Sequence, residues 1–363
     1  TCFPGQLTVN GAMYFRPDGG LPFVWLHCQR PHTGGRILFG ERSHAYRFTY
    51  HTDLDIGRTL FVPALSLAWG RGEAESDRVL ADMFSSFHEP PAWWYNTTWF
   101  WMHPHWQAGG DFYSMGRGMR ILQDECGVNG FGMLVHEIAR SGSDIDVSSL
   151  APDHNLGGDD ALRAAVAAVR AKGGKTYIWF TRMGHRPDPQ VRSESWAIRG
   201  VDGRACATTY RPSQGVTIDI CDSADPGWQA YVLGWIEYYV KVIGVNGIFW
   251  DSGFQPIPPD FGGKDYLKYP GEACAAGIGL YDKAWRLGRS LDPDFFMWTE
   301  GINVDCACNA FAVDNRQHGP RTAHMLMNRL AHAGRKRLTW RSAWPHELAS
   351  GFAWLNPVND VNW

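Results

Sequence analysis

The pattern of apolar and polar residues changes near residue 90, and this change predicts two parts of the chain. Before it, short apolar runs such as residues 23–26 and 36–39 are separated by Gly, Pro and Asp. Such spacing is typical of β-strands joined by tight turns. The pair Pro90-Pro91 marks the break. We therefore predict a β-rich N-terminal module over residues 1–90 and a second domain over residues 91–363.

After the break, strand-like apolar runs alternate with longer helical stretches, which predicts repeated βα units and a parallel sheet. The candidate strands are residues 97–102, 130–135, 175–181, 248–250, 294–299, 310–313, 337–340 and 352–355. The candidate helices are residues 159–171, 226–243, 275–290 and 321–333. Such repetition favours an α/β fold of the (β/α)8 type, a TIM barrel.

The polar stretch 182–215 interrupts this pattern. It contains Pro and Gly, so we predict a loop over the mouth of the site. Residues 216–219 are either a short strand or a continuation of that loop.

Both ends of the sequence resemble interior parts of a longer polypeptide. The chain begins at Thr1 without a signal-peptide pattern, and residues 356–363 resemble a loop. We therefore expect a trimmed start and a C-terminal end that is truncated within the barrel domain. A secreted or periplasmic location is favoured, but the eight Cys, with no C-x-x-C pair among them, leave the redox compartment open.

Charge and aromatic content restrict the classes of molecule that this protein is expected to bind. Lys and Arg number 34 against 37 Asp and Glu, a balance that points neither to nucleic acid nor to an anionic membrane. No apolar run approaches the roughly 18 residues of a membrane span. The 18 Trp, 13 Tyr and 19 Phe offer flat rings that suit the apolar faces of sugars, although many belong to a core. We expect a carbohydrate partner, no cofactor and no metal.

Two acidic residues follow predicted strands, where the catalytic groups of a barrel gather. Asp251 comes after Ile-Phe-Trp, and Glu300 comes after Phe-Met-Trp-Thr. Glycosidic cleavage uses such a pair, one carboxylate at the anomeric carbon and one acid at the leaving oxygen. Each acid could instead cap the helix that follows it. Two acids on neighbouring strands, each close to a Trp, favour the catalytic interpretation.

Other polar and aromatic residues at predicted strand ends are candidates for binding sugar hydroxyls. Asp219 is explained equally well as a structural residue before the helix at Pro226. Trp250 and Trp298 precede the two acids, and strand alternation would point both away from them, so packing is their alternative role. The full set is Asp219, His136, Glu137, Arg182, Trp250, Trp298, Asp314, His318, Trp340 and Arg341.

The stretch from Val216 to Asp251 resembles the retaining α-glycosidase barrels. Those families have an Asp-bearing strand, an Asp-Pro helix start and a Gly-Val-Asp-Gly run that leads through three apolar residues to an Asp. Asp225-Pro226 and Gly244-Val-Asn-Gly-Ile-Phe-Trp-Asp251 match this order. The resemblance implies that Asp251 is the nucleophile on strand four.

The second acid departs from part of that resemblance. The α-galactosidase and α-glucosidase branches carry an Asp acid/base on a later strand, whereas this chain offers Glu300 on the next strand. That arrangement is similar to the α-amylase branch and to endo-α-N-acetylgalactosaminidase-type barrels. The Arg that amylases place two residues before the nucleophile is absent. The resemblance implies retaining hydrolysis of an oligo- or polysaccharide, favouring α-linkage, with Glu300 as acid and then base.

Two other functions stay open at this stage. His103 and His105 form an H-x-H pair at the end of the first strand, as in metal-dependent amidohydrolase-type barrels. The His that those enzymes place on a later strand is not matched by Thr299-Glu300. The aromatic residues would equally suit a non-catalytic carbohydrate-binding barrel.

Overall fold

The structure, a computed structural model, describes strands of the first 71 residues and much of the chain from residue 91 onward. The described residues are 11–15, 22–28, 34–39, 44–49, 65–71, 91–95, 97–102, 104, 111–125, 127, 130–136, 138, 150–181, 184–185, 194–211, 216–251, 258–299, 337–340 and 352–357.

All described residues before position 91 lie in β-strands. These are β1 (Gly11–Phe15), β2 (Pro22–Cys28), β3 (Gly34–Phe39), β4 (His44–Thr49) and β5 (Leu65–Arg71). Strands β1, β2 and β5 form an antiparallel sheet, and β3 pairs antiparallel with β4. The described strands have the β-rich character predicted for this part, and the module boundary at residue 90 stays a prediction.

The later strands are β6 (Thr98–Met102), β7 (Phe131–Val135), β8 (Lys175–Thr181), β9 (Gly184–His185), β10 (Ala207–Arg211), β11 (Val216–Ile220), β12 (Gly247–Asp251), β13 (Phe296–Thr299), β14 (Arg337–Trp340) and β15 (Phe352–Pro357). The helices are α1 (Ala92–Tyr95), α2 (Phe112–Asp124), α3 (Gly158–Arg170), α4 (Pro226–Tyr238) and α5 (Glu272–Leu291).

Seven of these strands form one parallel sheet in the order β13-β12-β8-β7-β6-β15-β14. The last strand, β15, lies beside the first, β6, which is the neighbour relation that joins the eighth strand of a (β/α)8 barrel to its first. The parallel α/β arrangement predicted from the pattern is confirmed. The strand predicted at 310–313 and the helix predicted at 321–333 lie outside the described residues.

The prediction that 182–215 is only a loop was wrong. Strands β9 and β10 lie in this stretch, and both pair antiparallel with β11 to form a three-stranded sheet, here called the small sheet. Thr208 and Thr209 in β10 are β-branched residues that favour strands, and they find a partner only when β11 folds back on them. The excursion after β8 is therefore a folded element.

Helix α4 begins where Asp225-Pro226 predicts. The Asp225 carboxylate accepts hydrogen bonds from the amides of Gly227 and Trp228, at 2.7 and 3.1 Å, while Pro226 occupies the first turn. The helix continues as a π-helical turn, Tyr239–Ile243, and ends at Gly244 with a φ of 87°. A left-handed residue at this position is tolerated because Gly has no Cβ.

Strand alternation separates two buried faces of the parallel sheet. On β12, Ile248 and Trp250 belong to the core shared with the helices, while Phe249 is equally buried but lies on the other face. On β8, Phe180 faces the helices, whereas Trp179 lies on the face of Phe249, its partner in register. We call the face that carries Phe249 and Trp179, opposite the helix-side core, the interior face.

Aromatic rings pack together near the amino ends of the strands, on the face opposite the helix-side core. Trp99 and Tyr177 meet edge to face with centroids 4.8 Å apart, and Trp93 of α1 lies 6.5 and 6.3 Å from them. Gly132 and Gly247 make room, because a Cβ at either position would come within 2.5 Å of a neighbouring ring. Aromatic packing therefore occupies this end of the sheet in the described residues.

Candidate active site

Asp251 is the last residue of β12, in the interior of the parallel sheet between β8 and β13. Its backbone is in register with Thr181, the last residue of β8. Position 251 therefore lies at the carboxyl edge of the sheet, as the sequence predicted. It also falls on the same face of the strand as Phe249, two residues earlier.

Strand β13 brings the second predicted acid towards the same edge. Thr299 ends this strand and is in register with Trp250. Glu300 is the next residue in the chain and lies outside the described residues. The register places the described end of β13 one residue short of the level of Asp251.

The two Trp residues predicted to bind substrate occupy different faces. Trp250 is 1% exposed, and its ring packs against Phe180 and against Tyr281 of α5, at centroid distances of 6.4 and 5.6 Å. Its alternative role, packing in the helix-side core, fits this environment, so substrate binding by Trp250 is not supported. Trp298 is in register with Phe249, so its position falls on the face of Phe249 and not on that of Trp250.

His136 is the described polar residue at the carboxyl end of β7. Its side chain is buried, with 4% exposed, and its ring centroid lies 5.2 Å from that of Trp179 on β8. Sequence analysis did not select Trp179. The alternation within residues 175–181 would have identified it, because Trp179 is two residues before Thr181 and shares its face.

Asp219 lies in β11 of the small sheet, not in the parallel sheet. It is 7% exposed and is in register with Ala207 on one side and His185 on the other. Because β9 begins three residues after β8 ends, the small sheet follows directly from the carboxyl end of β8. Asp219 thus belongs to the excursion on the side of the sheet where Asp251 lies.

The remaining candidates are placed only in part. Trp340 is the last residue of β14 and is in register with Leu355; only its position in the strand is described. Outside the described residues lie Glu137, Arg182, Asp314, His318 and Arg341, together with His103 and His105 of the amidohydrolase alternative.

Two findings concern metal ions and membranes in the described part of the chain. There, no group of three or more His, Cys, Asp or Glu side chains is arranged to hold a metal ion. None of the helices in those ranges is both long enough and apolar enough to cross a membrane.

Comparison with known proteins relates this chain to solved structures. No protein-family model matches the sequence. No curated protein matches it either. The α-N-acetylgalactosaminidase NagBb from Bifidobacterium bifidum superposes with a TM-score of 0.69 at 11% identity, over 93% of this chain and 61% of that chain.

Two α-galactosidases superpose as well, both solved with stachyose. The enzyme from Thermus thermophilus has a TM-score of 0.57 at 15% identity, over 90% of this chain and 66% of that chain. A GH36 enzyme variant from Geobacillus stearothermophilus has a TM-score of 0.65 at 9% identity, over 99% of this chain and 58% of that chain. The chain thus shares the fold of these proteins and spans about three fifths of their length.

Proposed function

We propose that this protein is a glycoside hydrolase that cleaves O-glycosidic bonds of an α-linked oligo- or polysaccharide with retention. The position of Asp251 carries the proposal, because it ends a strand in the interior of a parallel α/β sheet. Catalytic residues of (β/α)8 enzymes come from such strand ends. The fold shared with α-galactosidases and an α-N-acetylgalactosaminidase supports the same class of chemistry.

In this proposal Asp251 attacks the anomeric carbon and forms a covalent glycosyl-enzyme. Glu300 first protonates the leaving oxygen and then takes a proton from the water that releases the sugar. The pairing of Trp250 with Thr299 supports the partnership, since one further step of that register would bring residues 251 and 300 level. Residues level on adjacent parallel strands share a face, which suits carboxyl groups about 5–5.5 Å apart.

The sugar would lie above the interior face that carries Trp179 and Phe249. His136, beside Trp179, would offer a ring nitrogen to a sugar hydroxyl, and Asp219 would accept a hydrogen bond from another hydroxyl through its carboxylate, from the small sheet. A rim of polar and aromatic groups would complete the site; its proposed members are Glu137, Arg182, Trp298, Asp314, His318, Trp340 and Arg341.

The names of the structural neighbours suggest the first substrates to test. The NagBb structures include a complex with N-acetylgalactosamine, and the α-galactosidase structures contain stachyose. We propose α-galactosides and α-N-acetylgalactosaminides as the substrate class. The neighbours are longer than this chain, so the assay should also be run on any longer natural form of the polypeptide.

The test is a screen of aryl α- and β-glycosides and of natural oligosaccharides, with the first-formed product anomer followed by NMR. Release of an α-sugar from an α-glycoside supports the retaining proposal, and the inverted anomer contradicts it. Carbohydrate binding without hydrolysis of any glycoside would favour the non-catalytic barrel. Loss of hydrolysis on chelation, with recovery on adding metal, would favour the amidohydrolase-type alternative.

A further inference from the structure

A buried group of acidic side chains links two segments that are distant in sequence. It consists of Asp222, Asp225, Asp260 and Tyr266, and we call it the carboxyl cluster. The three Asp residues are 0%, 4% and 2% exposed, in that order. Asp222 and Asp225 lie between β11 and α4, whereas Asp260 and Tyr266 belong to residues 258–271, the described segment after β12. We call this segment the β12–α5 segment.

Backbone amides account for one oxygen of each carboxyl group. Each Oδ1 atom accepts hydrogen bonds of 2.7–3.1 Å from nearby N–H groups. For Asp222, Asp225 and Asp260 respectively, the donors are the amides of Ala224, of Gly227 and Trp228, and of Arg199 and Gly262. The second oxygen of each group needs a donor from elsewhere.

Tyr266 can meet only part of that need. Its hydroxyl oxygen lies 3.0 Å from Oδ2 of Asp222 and 3.1 Å from Oδ2 of Asp225. A tyrosine hydroxyl has one hydrogen to donate, so it cannot serve two ionised carboxylates fully. Oδ2 of Asp260 is buried and, within the described ranges, accepts no hydrogen bond from an N–H or hydroxyl group.

The contact between Asp222 and Asp260 supplies the missing donor. A hydrogen bond to the Asp260 carboxyl group is one of the causes that raise the pKa of Asp222, which makes Asp222 the place for the missing proton. Ionised carboxylates are acceptors only, so two of them hydrogen-bond each other only when one carries a proton. The geometry therefore accommodates one proton more than three ionised Asp residues and a tyrosine would hold.

We propose that the carboxyl cluster is a proton-operated clamp, in which Asp222 donates a proton to Asp260. Loss of this proton to water would release the β12–α5 segment from residues 195–199 and from the turn between β11 and α4. The segment follows the strand that ends at Asp251, so the clamp would couple solution pH to the surroundings of that residue. It does not depend on which reaction, if any, Asp251 performs.

The charges around Asp222 set the direction of the response. Burial is the largest cause, and with the charge of Asp260 it raises the pKa of Asp222 to about 6, against the opposing hydrogen bonds from Ala224 and Tyr266. Burial and then the charges of Asp222 and Asp225 also raise the pKa of Tyr266, so its hydroxyl stays protonated. The clamp is closed in mildly acidic solution and opens as pH rises through about 6.

Other titratable groups beside the cluster give little compensation for a second negative charge. Among the basic side chains near Gly262, Arg199 donates to the carbonyl of Gly203 and Lys264 donates to that of Ser195. Burial, and then the charge of Asp260, raises the pKa of the Cys206 thiol, which keeps it neutral. An ionised Asp222 would face Asp260 and Asp225 with the same sign of charge.

Hydrogen exchange of the backbone amides in residues 258–271, corrected for the intrinsic pH dependence of exchange, tests the clamp. We expect the opening equilibrium of the parent protein to increase about tenfold between pH 5 and pH 8, because the closed segment holds a proton that the open one releases. Asp222→Asn keeps a donor for Asp260 but cannot titrate, so its opening should be equal at the two pH values. Asp153→Asn, at a buried Asp that caps the 3-10 helix His154–Leu156, should keep the tenfold change.

A parent segment whose opening is independent of pH would overturn the clamp, as would an Asp222→Asn protein that retains the tenfold change. If that variant does not fold, infrared spectroscopy of the parent provides the second test. We expect a carbonyl stretch of a protonated carboxylic acid, which disappears as pH rises with a midpoint near pH 6. In Tyr266→Phe this midpoint should move to higher pH, because the variant lacks one hydrogen bond that favours the ionised form of Asp222. Absence of such a band at pH 5 contradicts the proposal. None of these measurements uses hydrolysis, so they separate the clamp from the proposed function.

Discussion

Single residues at the carboxyl edge of the sheet determine whether the proposed chemistry is possible. Asp251 is fixed there by register with Thr181, and His136 lies beside Trp179 in the adjoining part of the same sheet. These positions follow from backbone pairing, which tolerates most side chains. Substitution at Asp251 should therefore change chemistry more than folding.

For Asp251→Ala we expect hydrolysis to fall by more than about a thousandfold, because removing a nucleophile leaves only binding and electrostatic contributions. Added azide should restore turnover and release a glycosyl azide of inverted configuration, since the small anion attacks from the vacated side. The matched control is Asp124→Asn. Asp124 is an exposed acid at the end of α2, 2.6 Å from the Lys172 ammonium group, and this variant should retain activity. Undiminished hydrolysis by Asp251→Ala would remove it from the mechanism.

A second prediction at this scale concerns Gly247, which packs against the Tyr177 ring and the neighbouring strand β13. Gly247→Ala would bring a Cβ within 2.1 Å of the Phe296 carbonyl oxygen and 2.5 Å of the Tyr177 ring, so the free energy of unfolding should drop by about 1–3 kcal/mol through overpacking. Gly279→Ala is the control, because this exposed position in α5 has no atom within 4 Å of the added Cβ. There the change should raise the free energy of unfolding by about 0.5–1 kcal/mol through helix propensity. Chemical denaturation measures both; equal effects would contradict the packing argument.

At the scale of elements, α4 is attached to the chain around α3 by two neighbouring tyrosines. The hydroxyl of Tyr239 donates to the carbonyl of Leu150 in a fully buried environment, while that of Tyr238 donates to Asp159 near the surface. Burial raises the pKa of both hydroxyls, so both remain donors at any ordinary pH. The two bonds differ mainly in access to water.

Tyr239→Phe should lower the free energy of unfolding by about 1–3 kcal/mol, because the buried Leu150 carbonyl is left without its donor. Tyr238→Phe should cost less than about 1 kcal/mol, since water can replace the lost donor at a partly exposed pair. Urea unfolding of the two variants provides the comparison. A larger loss in Tyr238→Phe than in Tyr239→Phe would show that water access does not control these energies.

The small sheet is the element whose existence local pattern failed to predict. Residues 182–215 are polar overall, and β9 contains only Gly184 and His185. Such a short segment has no periodicity of its own, so its pairing with β11 is decided by the chain folding back on itself. Helices α3 and α4 were easier to predict from the sequence, because the apolar spacing of α3 and the Asp225-Pro226 start of α4 are local signals.

At the scale of the whole molecule, the protonation of the carboxyl cluster should appear in the pH dependence of stability. The folded protein retains a proton on Asp222 up to a pKa of about 6, whereas the unfolded chain loses it near the ordinary value of 3.8. Stability from this group is fully present below about pH 4 and is lost as pH rises through about 6, a total on the order of 2–3 kcal/mol. The difference between parent and Asp222→Asn in chemical denaturation, measured from pH 4 to 8, should follow this course. A difference that is flat across the range would contradict it.

The amino-acid sequence by itself determined the local elements and the residues with chemical potential. Seven predicted strands of the parallel sheet, the starts of α3 and α4 and the strand-end position of Asp251 follow from apolar spacing and capping residues, which act within a few positions along the chain; helix α2 was not predicted. The acid predicted at Glu300 and most of the proposed rim stay predictions.

Only the tertiary structure decided which residues become neighbours. The pairing of β15 with β6, the placement of Trp250 in the helix-side core and the meeting of Asp222 with Asp260 each join positions far apart in sequence. Burial and the approach of like charges raise the pKa of Asp222, and neither exists before the chain folds. Local pattern thus identified Asp251, whereas long-range packing produced the carboxyl cluster beside the segment that follows it.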